Sequence, residues 1–342
     1  MPEPNVPSRA GSATCPAGTD IAYAAECLRS GGLVGMPTET VYGLAAAALQ
    51  PRAVAAVFEV KRRPHFDPLI VHLSEFDQLP MVATDISAQA YRLAEHFWPG
   101  PLTMILPRTT EVPDLVTAGL PGVGVRIPAH PLARRLIAAA GFPVAAPSAN
   151  LFGGMSPTTA EHVSDGLGGF IDYVLDGGPC SIGVESTVVS LMEDRPLLLR
   201  HGGLPLEDLE RLIGPISVAA LNPDADNSAQ PAPGMLSRHY APRTRMQLIS
   251  PEAEAQPVPG ARSVLLTWGN APIAPGFDRI HSLGPAEDLR ICAAGFFAAL
   301  RMLDALSPDV IIARQFVDFG LGRALNDRLR RGSAGSEPNQ AH

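Results

Sequence analysis

The chain has 342 residues, 46% of them hydrophobic and 18% charged, a balance that suits a folded globular protein rather than a disordered one. That length exceeds the ~100–200 residues usual for one domain, so two domains are expected. Acidic residues outnumber basic ones by 34 to 26, for a net charge of −8, which disfavours stable RNA binding by the isolated chain because grip on phosphates calls for basic excess. No apolar run approaches the ~20 residues of a membrane span.

Residues 1–18 are rich in Pro, Ser, Gly and Ala and lack the charged start and apolar core of a secretory signal, so they read as a disordered tail. Cys15, Cys27, Cys180 and Cys292 are scattered without a Cys-x-x-Cys pair. Neither a zinc site nor a disulfide framework is predicted, and a reducing cytoplasm fits.

Ile21, Ala24, Ala25 and Leu28 recur at helical spacing before Gly31 and Gly32, after which residues 33–36 read as a buried strand ending at Pro37. A helix is predicted from Pro51, with Val54, Val57 and Phe58 on one face, followed by a strand at 69–73. The alternation continues through a helix at 86–98, strands at 102–106 and 123–127, a helix at 131–140 and a strand at 144–146. Strands at 171–175 and 184–191 and a helix at 205–213 complete a first α/β domain over 19–213.

Residues 214–262 lose periodicity and gather Pro, Ala, Asn and Asp, the composition of a linker. Within it, residues 234–242 place His239 and Tyr240 between prolines, and this run is expected to fold back as a lid. Strands at 263–267 and 310–313, a helix at 286–306 and a basic helix at 322–331 then predict a small α/β domain over 263–331, with 332–342 a second disordered tail.

The chemistry-bearing residues stand at strand ends, where α/β proteins place ligands. Pro37-Thr38-Glu39-Thr40 follows the first strand, and its hydroxyls suit a small polar substrate, or else a helix cap or turn. Lys61-Arg62-Arg63 follows a helix. If that segment is extended, Lys61 and Arg63 face the same way and suit a polyphosphate, a solvated basic turn being the alternative. Arg126 lies in an otherwise apolar strand, where a buried cation needs an anion, either a bound carboxylate or carbonate or an internal carboxylate. Ala146-Pro147-Ser148-Ala149-Asn150 ends a strand in small and polar groups, without the Gly-x-Ser-x-Gly of a hydrolase nucleophile. Ser156 follows nearby, with a helix cap or turn the alternative for either serine, and Ser186 and Arg200 bring further polar groups into strand-like runs. Neither a Walker A sequence nor a Gly-x-Gly-x-x-Gly fingerprint is present.

Taken in order, Pro-Thr-Glu-Thr-Val-Tyr-Gly-Leu at 37–44, Lys-x-Arg-Pro at 61–64, Pro-Leu-Ile-Val-His at 68–72, Trp-Pro-Gly-Pro-Leu-Thr at 98–103, Val-Arg-Ile-Pro at 125–128 and Ala-Pro-Ser-Ala-Asn at 146–150 resemble the threonylcarbamoyl-AMP synthase family. The linker's Pro-Gly-Met and His-Tyr-Ala-Pro, with Gly-Leu-Gly at 320–322, resemble its longer, two-domain branch. The chain differs from the family's common pattern at Arg62, where a small or polar residue is usual, at Gly122, where a hydroxyl residue is frequent, and at Leu236-Ser237 of the linker.

The resemblance implies a twisted YrdC-like α/β catalytic domain with a deep cleft and a smaller Rossmann-like C-terminal domain. It implies formation of threonylcarbamoyl-AMP and pyrophosphate from ATP, L-threonine and bicarbonate for tRNA modification. Thr38, His72, Arg126, Ala146 and Ser186 would surround threonine and its carbamate. Lys61, Arg63, Ser148, Asn150, Ser156, Arg200 and His239 would face ATP, with Lys61, Arg63 and Arg126 catalytic. Mg2+ is expected to be held mainly by phosphates and water rather than by a protein cage. The product is expected to pass to a tRNA threonylcarbamoyl transferase complex, with weak or no direct tRNA binding. The competing readings are an RNA-binding module and carbamoyl transfer as in hydrogenase maturation, whose proteins carry Cys-rich zinc regions that these four cysteines cannot build.

Overall fold

The structure, a computed structural model, describes residues 15–220, 229–235 and 239–334. Sequence readings that fall on 1–14, 221–228, 236–238 and 335–342 lie outside the described residues.

The first helix, Ile21–Arg29, begins where the Asp20 side chain accepts a hydrogen bond from the Tyr23 amide, and it buries Ala24, Ala25 and Leu28. That face packs against the helix Pro131–Ala140, whose start is capped by the His130 ring and preset by Pro131. Helix Pro51–Lys61 likewise opens on a proline and turns Ala53, Val54, Val57 and Phe58 inward. Each such apolar side chain larger than alanine contributes about 1.5–3 kcal/mol on full burial. The helix ends at Arg62, whose φ of 52° lies in the left-handed region, a conformation easier for small residues than for arginine.

These helices cover a large mixed sheet. Among the described residues it has eleven strands in the order Ala17–Gly18, Tyr173–Leu175, Val34–Met36, Gly43–Ala47, Val144–Ala145, Ile70–His72, Gly122–Arg126, Leu102–Pro107, Thr187–Ser190, Leu197–Arg200 and Ser217–Val218. Ile70–His72 and Gly122–Arg126 are parallel neighbours, and the register sets His72 directly beside Arg126. The central strands are buried on both faces, as strands covered by helices and loops must be.

A second, four-stranded parallel sheet has the order Met246–Ile249, Val310–Arg314, Ser263–Thr267, Arg279–Ser282. Helices Leu289–Ala305 and Leu321–Ser333 pack with it. The same apolar cluster takes in Val41, Met155, Val184 and Tyr240, so the second sheet's helices are docked directly on residues around the first sheet's loops. Gly183 marks the closest approach: its φ is +78°, and a Cβ there would stand 2.2 Å from the Ala293 carbonyl oxygen.

Several sequence expectations change. Residues 15–18, read as tail, include a strand, Ala17–Gly18, that pairs with Tyr173–Leu175, while the Tyr173 hydroxyl accepts from the Asp20 amide. Small residues carry no β pattern, but their backbone groups complete a sheet edge. Residues 214–262, read as linker, supply Met246–Ile249 to the second sheet. Gly332 and Ser333, assigned to the terminal tail, complete the last helix. Arg279–Ser282 is a mostly exposed edge strand with no hydrophobic alternation to announce it.

Lys61 and Arg63 do not share an extended run. Lys61 is the last helical residue, and the left-handed turn at Arg62 sends Arg63 elsewhere, its amide bonding back to the Phe58 carbonyl at 2.9 Å.

Candidate active site

The loops after Val34–Met36 and Val144–Ala145, together with the ends of Ile70–His72, Gly122–Arg126 and Leu197–Arg200, enclose a cleft of about 540 Å³, open solvent at its mouth included. Its lining brings together Thr38, Arg63, His72, Arg126, Ala146, Ser148, Ser186, Arg200 and His239 from eight separate stretches of the chain, all of them residues singled out in the sequence. Lys61, Asn150 and Ser156 stand behind this wall instead.

At one end, Arg126 is buried in the strand that carries it. Its Nε donates to the Gly100 carbonyl at 3.0 Å and its Nη1 to the Thr40 hydroxyl at 2.9 Å. Its Nη2 lies 2.6 Å from Glu39 Oε1, an ion pair formed off the hydrogen-bonding axis. The internal carboxylate left open by the sequence is therefore present, and it is Glu39. The Thr38 hydroxyl donates to the Val41 carbonyl at 2.6 Å and stands 2.8 Å from the Thr40 hydroxyl, which fixes the 37–42 turn.

Beside Arg126, the His72 ring places Nδ1 3.2 Å from its own strand's Ile70 carbonyl. Burial, with the Arg126 charge adding to it, pushes this imidazole down to about 3. It is neutral at physiological pH. A neutral ring whose Nδ1–H is committed to a carbonyl leaves Nε2 as an acceptor, so the His72 side chain can take a hydrogen bond without bringing a second cation beside Arg126.

At the other end, Arg63 donates to the Asp67 and Pro68 carbonyls at 2.9 and 2.7 Å, and its Nη2 lies 2.9 Å from Asp67 Oδ2. Asp67 is fully buried, and burial raises its carboxyl against the pull of Arg63. Arg200 donates to the Ser186 carbonyl through Nε at 3.1 Å and Nη2 at 2.9 Å, and to the Pro233 carbonyl through Nη1 at 2.9 Å. The Ser186 hydroxyl is 2.8 Å from that of Thr103.

Behind the wall, Lys61 Nζ donates to the Ser148 and Asn150 carbonyls, each at 2.5 Å. Burial, followed by the like charge of Arg63, holds its ammonium well below the usual lysine range. Lys61 thus shapes the loop that presents Ser148. The Asn150 amide bonds the Leu151 and Gly154 carbonyls at 2.7 and 2.9 Å, and the Ser156 hydroxyl donates to Glu185.

Of the run read as a lid, Gly234, His239 and Tyr240 line the cleft, next to Pro233. Gly234 has a φ of +78°, and a Cβ there would lie 2.7 Å from the Tyr240 hydroxyl and 3.1 Å from Arg200 Nη1. Ala241 bonds the Gly153 carbonyl at 2.9 Å, and the His239 ring sits edge-on to Phe152 and Tyr240.

Glu39, Asp67 and Glu185 are not among the residues that the sequence points to. Glu39 stands between Thr38 and Thr40 and Glu185 directly before Ser186, and a charge in a buried run needs a partner, which is the signal that marks both.

A mixed α/β protein with guanidinium groups at both ends of a covered cleft belongs to the class that holds small anionic molecules. Residues 26–202 match the family model described as "Telomere recombination" and residues 204–334 the model described as "Threonylcarbamoyl-AMP synthase, C-terminal domain". The chain is 42% identical to the threonylcarbamoyl-AMP synthase of Pyrococcus abyssi over 325 residues, 92% of this chain and 94% of that one. It is 43% identical to that of Bacillus subtilis over 323 residues, 92% of this chain and 93% of that one. A crystal structure of P. abyssi Sua5 complexed with L-threonine superposes with a TM-score of 0.85 at 39% identity, covering 93% of this chain and 97% of that one. The chain belongs to the threonylcarbamoyl-AMP synthase family, in its two-domain form, and is an enzyme of nucleotidyltransferase type.

Proposed function

We propose that the cleft joins ATP, L-threonine and bicarbonate into threonylcarbamoyl-AMP, releasing pyrophosphate, for threonylcarbamoyladenosine formation on tRNA. The observation that carries this reading is the convergence, in one covered cleft, of a cationic end built on Arg63 and Arg200 and a mixed end built on Arg126, His72 and Thr38. Arg63 and Arg200 face the polyphosphate, with Ser148 and His239 beside the nucleotide. Arg126 meets the threonine carboxylate or its carbamate, with Thr38, His72, Ala146 and Ser186 around it.

In this reading the threonine amine attacks the bicarbonate carbon and water leaves with the amine proton to give the carbamate, whose oxygen then displaces pyrophosphate from the α-phosphorus. The side chains act by placing the reactants and balancing developing charge. The neutral His72 ring accepts a hydrogen bond from the threonine end, and the lid residues keep water from the mixed anhydride.

Magnesium enters with the nucleotide. Among the described residues no group of three His, Cys, Asp or Glu side chains is placed to hold a metal, and Glu39 and Asp67 are already paired with Arg126 and Arg63. The ion is held mainly by the phosphates and water.

The catalytic unit takes in the strands from Ala17–Gly18 to Ser217–Val218, and the C-terminal unit runs from the strand Met246–Ile249 to the helix Leu321–Ser333. The product passes to a tRNA-modifying transferase, and the net charge of −8 supports weak or no direct tRNA binding. A cytoplasmic location fits four free cysteines and the absence, among the described residues, of a helix long and apolar enough to cross a membrane.

The test is incubation of the purified chain with ATP, bicarbonate and labelled threonine. Threonylcarbamoyl-AMP and pyrophosphate in equal amounts are expected. Pyrophosphate release independent of threonine would overturn the reading.

A further inference from the structure

Arg328 lies on helix Leu321–Ser333 of the second unit, yet its side chain is buried against the first. Its Nε donates to Glu185 Oε2 at 2.9 Å and its Nη1 to the His201 carbonyl at 2.6 Å. Nη1 also reaches Asp327 at 3.0 Å, and the guanidinium carbon stands 5.2 Å from the ring centroid of Tyr240.

Of the two residues gripped across the interface, Glu185 itself lines the cleft and His201 stands one position from a cleft residue. Glu185 precedes Ser186, and His201 follows Arg200. Arg200 in turn bonds the Ser186 carbonyl and reaches the lid at Pro233. The other oxygen of Glu185 accepts from Ser156. Behind the Arg200–Ser186 contact, a single planar group from the second unit therefore holds both strand ends and one lid ring.

We propose that Arg328 is a positioning residue for the reaction, one that makes the spacing of Ser186, Arg200 and Tyr240 depend on docking of the C-terminal unit. This rests on the threonylcarbamoyl-AMP synthase reading of the cleft. The chemistry requires arginine. A guanidinium offers separate N–H groups to a carboxylate and a carbonyl in one plane and stacks on an aromatic ring, whereas an ammonium keeps the charge but loses the fork. Without that plane, Glu185 and His201 are free to shift independently, and sub-ångström misplacement in a cleft that works by positioning costs rate.

The experiment compares full-length wild type with Arg328→Lys by steady-state kinetics, thermal melting and amide hydrogen exchange. For Arg328→Lys, kcat/KM for ATP is expected to fall about tenfold or more with an almost unchanged melting temperature. Exchange should quicken at 184–187, 200–203 and 239–241 and stay as in wild type at Ile70–His72 and Gly122–Arg126. Wild-type kinetics or wild-type exchange at those three segments would overturn the proposal, as would exchange raised evenly over both units. Should Arg328→Lys not fold, the double variant Arg328→Gln/Glu185→Gln, which removes both charges and keeps an amide contact, takes its place, with wild-type kcat/KM overturning the proposal. If wild type itself forms no threonylcarbamoyl-AMP, the reaction reading fails, and the exchange pattern still decides whether Arg328 fixes the cleft.

Discussion

Arg126, which lines the cleft, and Glu39 stand 2.6 Å apart, both almost wholly removed from solvent. The pairing changes what a substitution does. Arg126→Leu strands a buried carboxylate, so a loss of about 3–5 kcal/mol of stability is expected along with loss of threonine-dependent pyrophosphate release. Adding Glu39→Gln should restore most of the stability without restoring activity. Urea unfolding and a pyrophosphate assay measure the two effects, and an active, folded double variant would remove Arg126 from the substrate site.

Arg63 and Asp67 form the equivalent pair at the other end of the cleft, with neither side chain more than 3% exposed. Arg63→Ala is expected to lower stability by about 3–5 kcal/mol because Asp67 is left uncompensated. Arg63→Lys should stay folded yet raise the KM for ATP, since a point charge cannot reproduce the fork. Lys61→Ala should also lose about 1–3 kcal/mol by leaving the Ser148 and Asn150 carbonyls short of a donor. The simpler expectation of a purely catalytic effect for Lys61 does not fit its burial. An ATP titration at a temperature well below each variant's melting point separates affinity from unfolding.

His72 supplies a pH dependence with a definite sign. Its folded value of about 3 lies below the ordinary 6.5, so the unfolded chain binds the extra proton between those limits. The stability it provides is complete above pH 6.5, declines as pH falls, and is exhausted near pH 3. The slope from this one group is about 1.4 kcal/mol per pH unit. Burial also lowers His239, His201, His162 and His281, so the relevant quantity is the difference between wild type and His72→Asn. Urea midpoints at pH 7 and pH 5 should move less in the variant; parallel lines would contradict the assignment of a buried neutral ring.

Gly234 joins a positive φ to a close approach by Tyr240 and Arg200. Gly234→Ala carries a backbone cost of about 1–2 kcal/mol and forces the lid away from the Arg200 contact, while both sheets should keep their stability. Product yield is expected to fall, and ATP should protect residues 229–243 from protease in wild type more than in the variant. Equal protection in the two would leave this segment a spacer.

The sequence by itself determined the elements with strong periodicity, such as Ile21–Arg29 and Pro51–Lys61, because apolar spacing and capping act within a few residues of each other. It also determined the order of motifs that carry the family resemblance, and hence most of the cleft lining. It could not announce Met246–Ile249 or Arg279–Ser282, whose burial patterns follow no local rule and whose pairing comes from distant strands.

Only the tertiary structure decided which charges meet. A buried arginine in a strand says that an anion is needed, not which one. That Arg126 finds Glu39, that Lys61 turns back to hold Ser148 while Arg63 faces Asp67, and that Arg328 crosses 143 positions to reach Glu185 follow from sheet order, from the left-handed turn at Arg62 and from the docking of two units. Desolvation makes each of these charges costly alone. Burial in the sequence pattern therefore predicts that a partner exists, while the partner's identity is set by backbone neighbours that are remote along the chain.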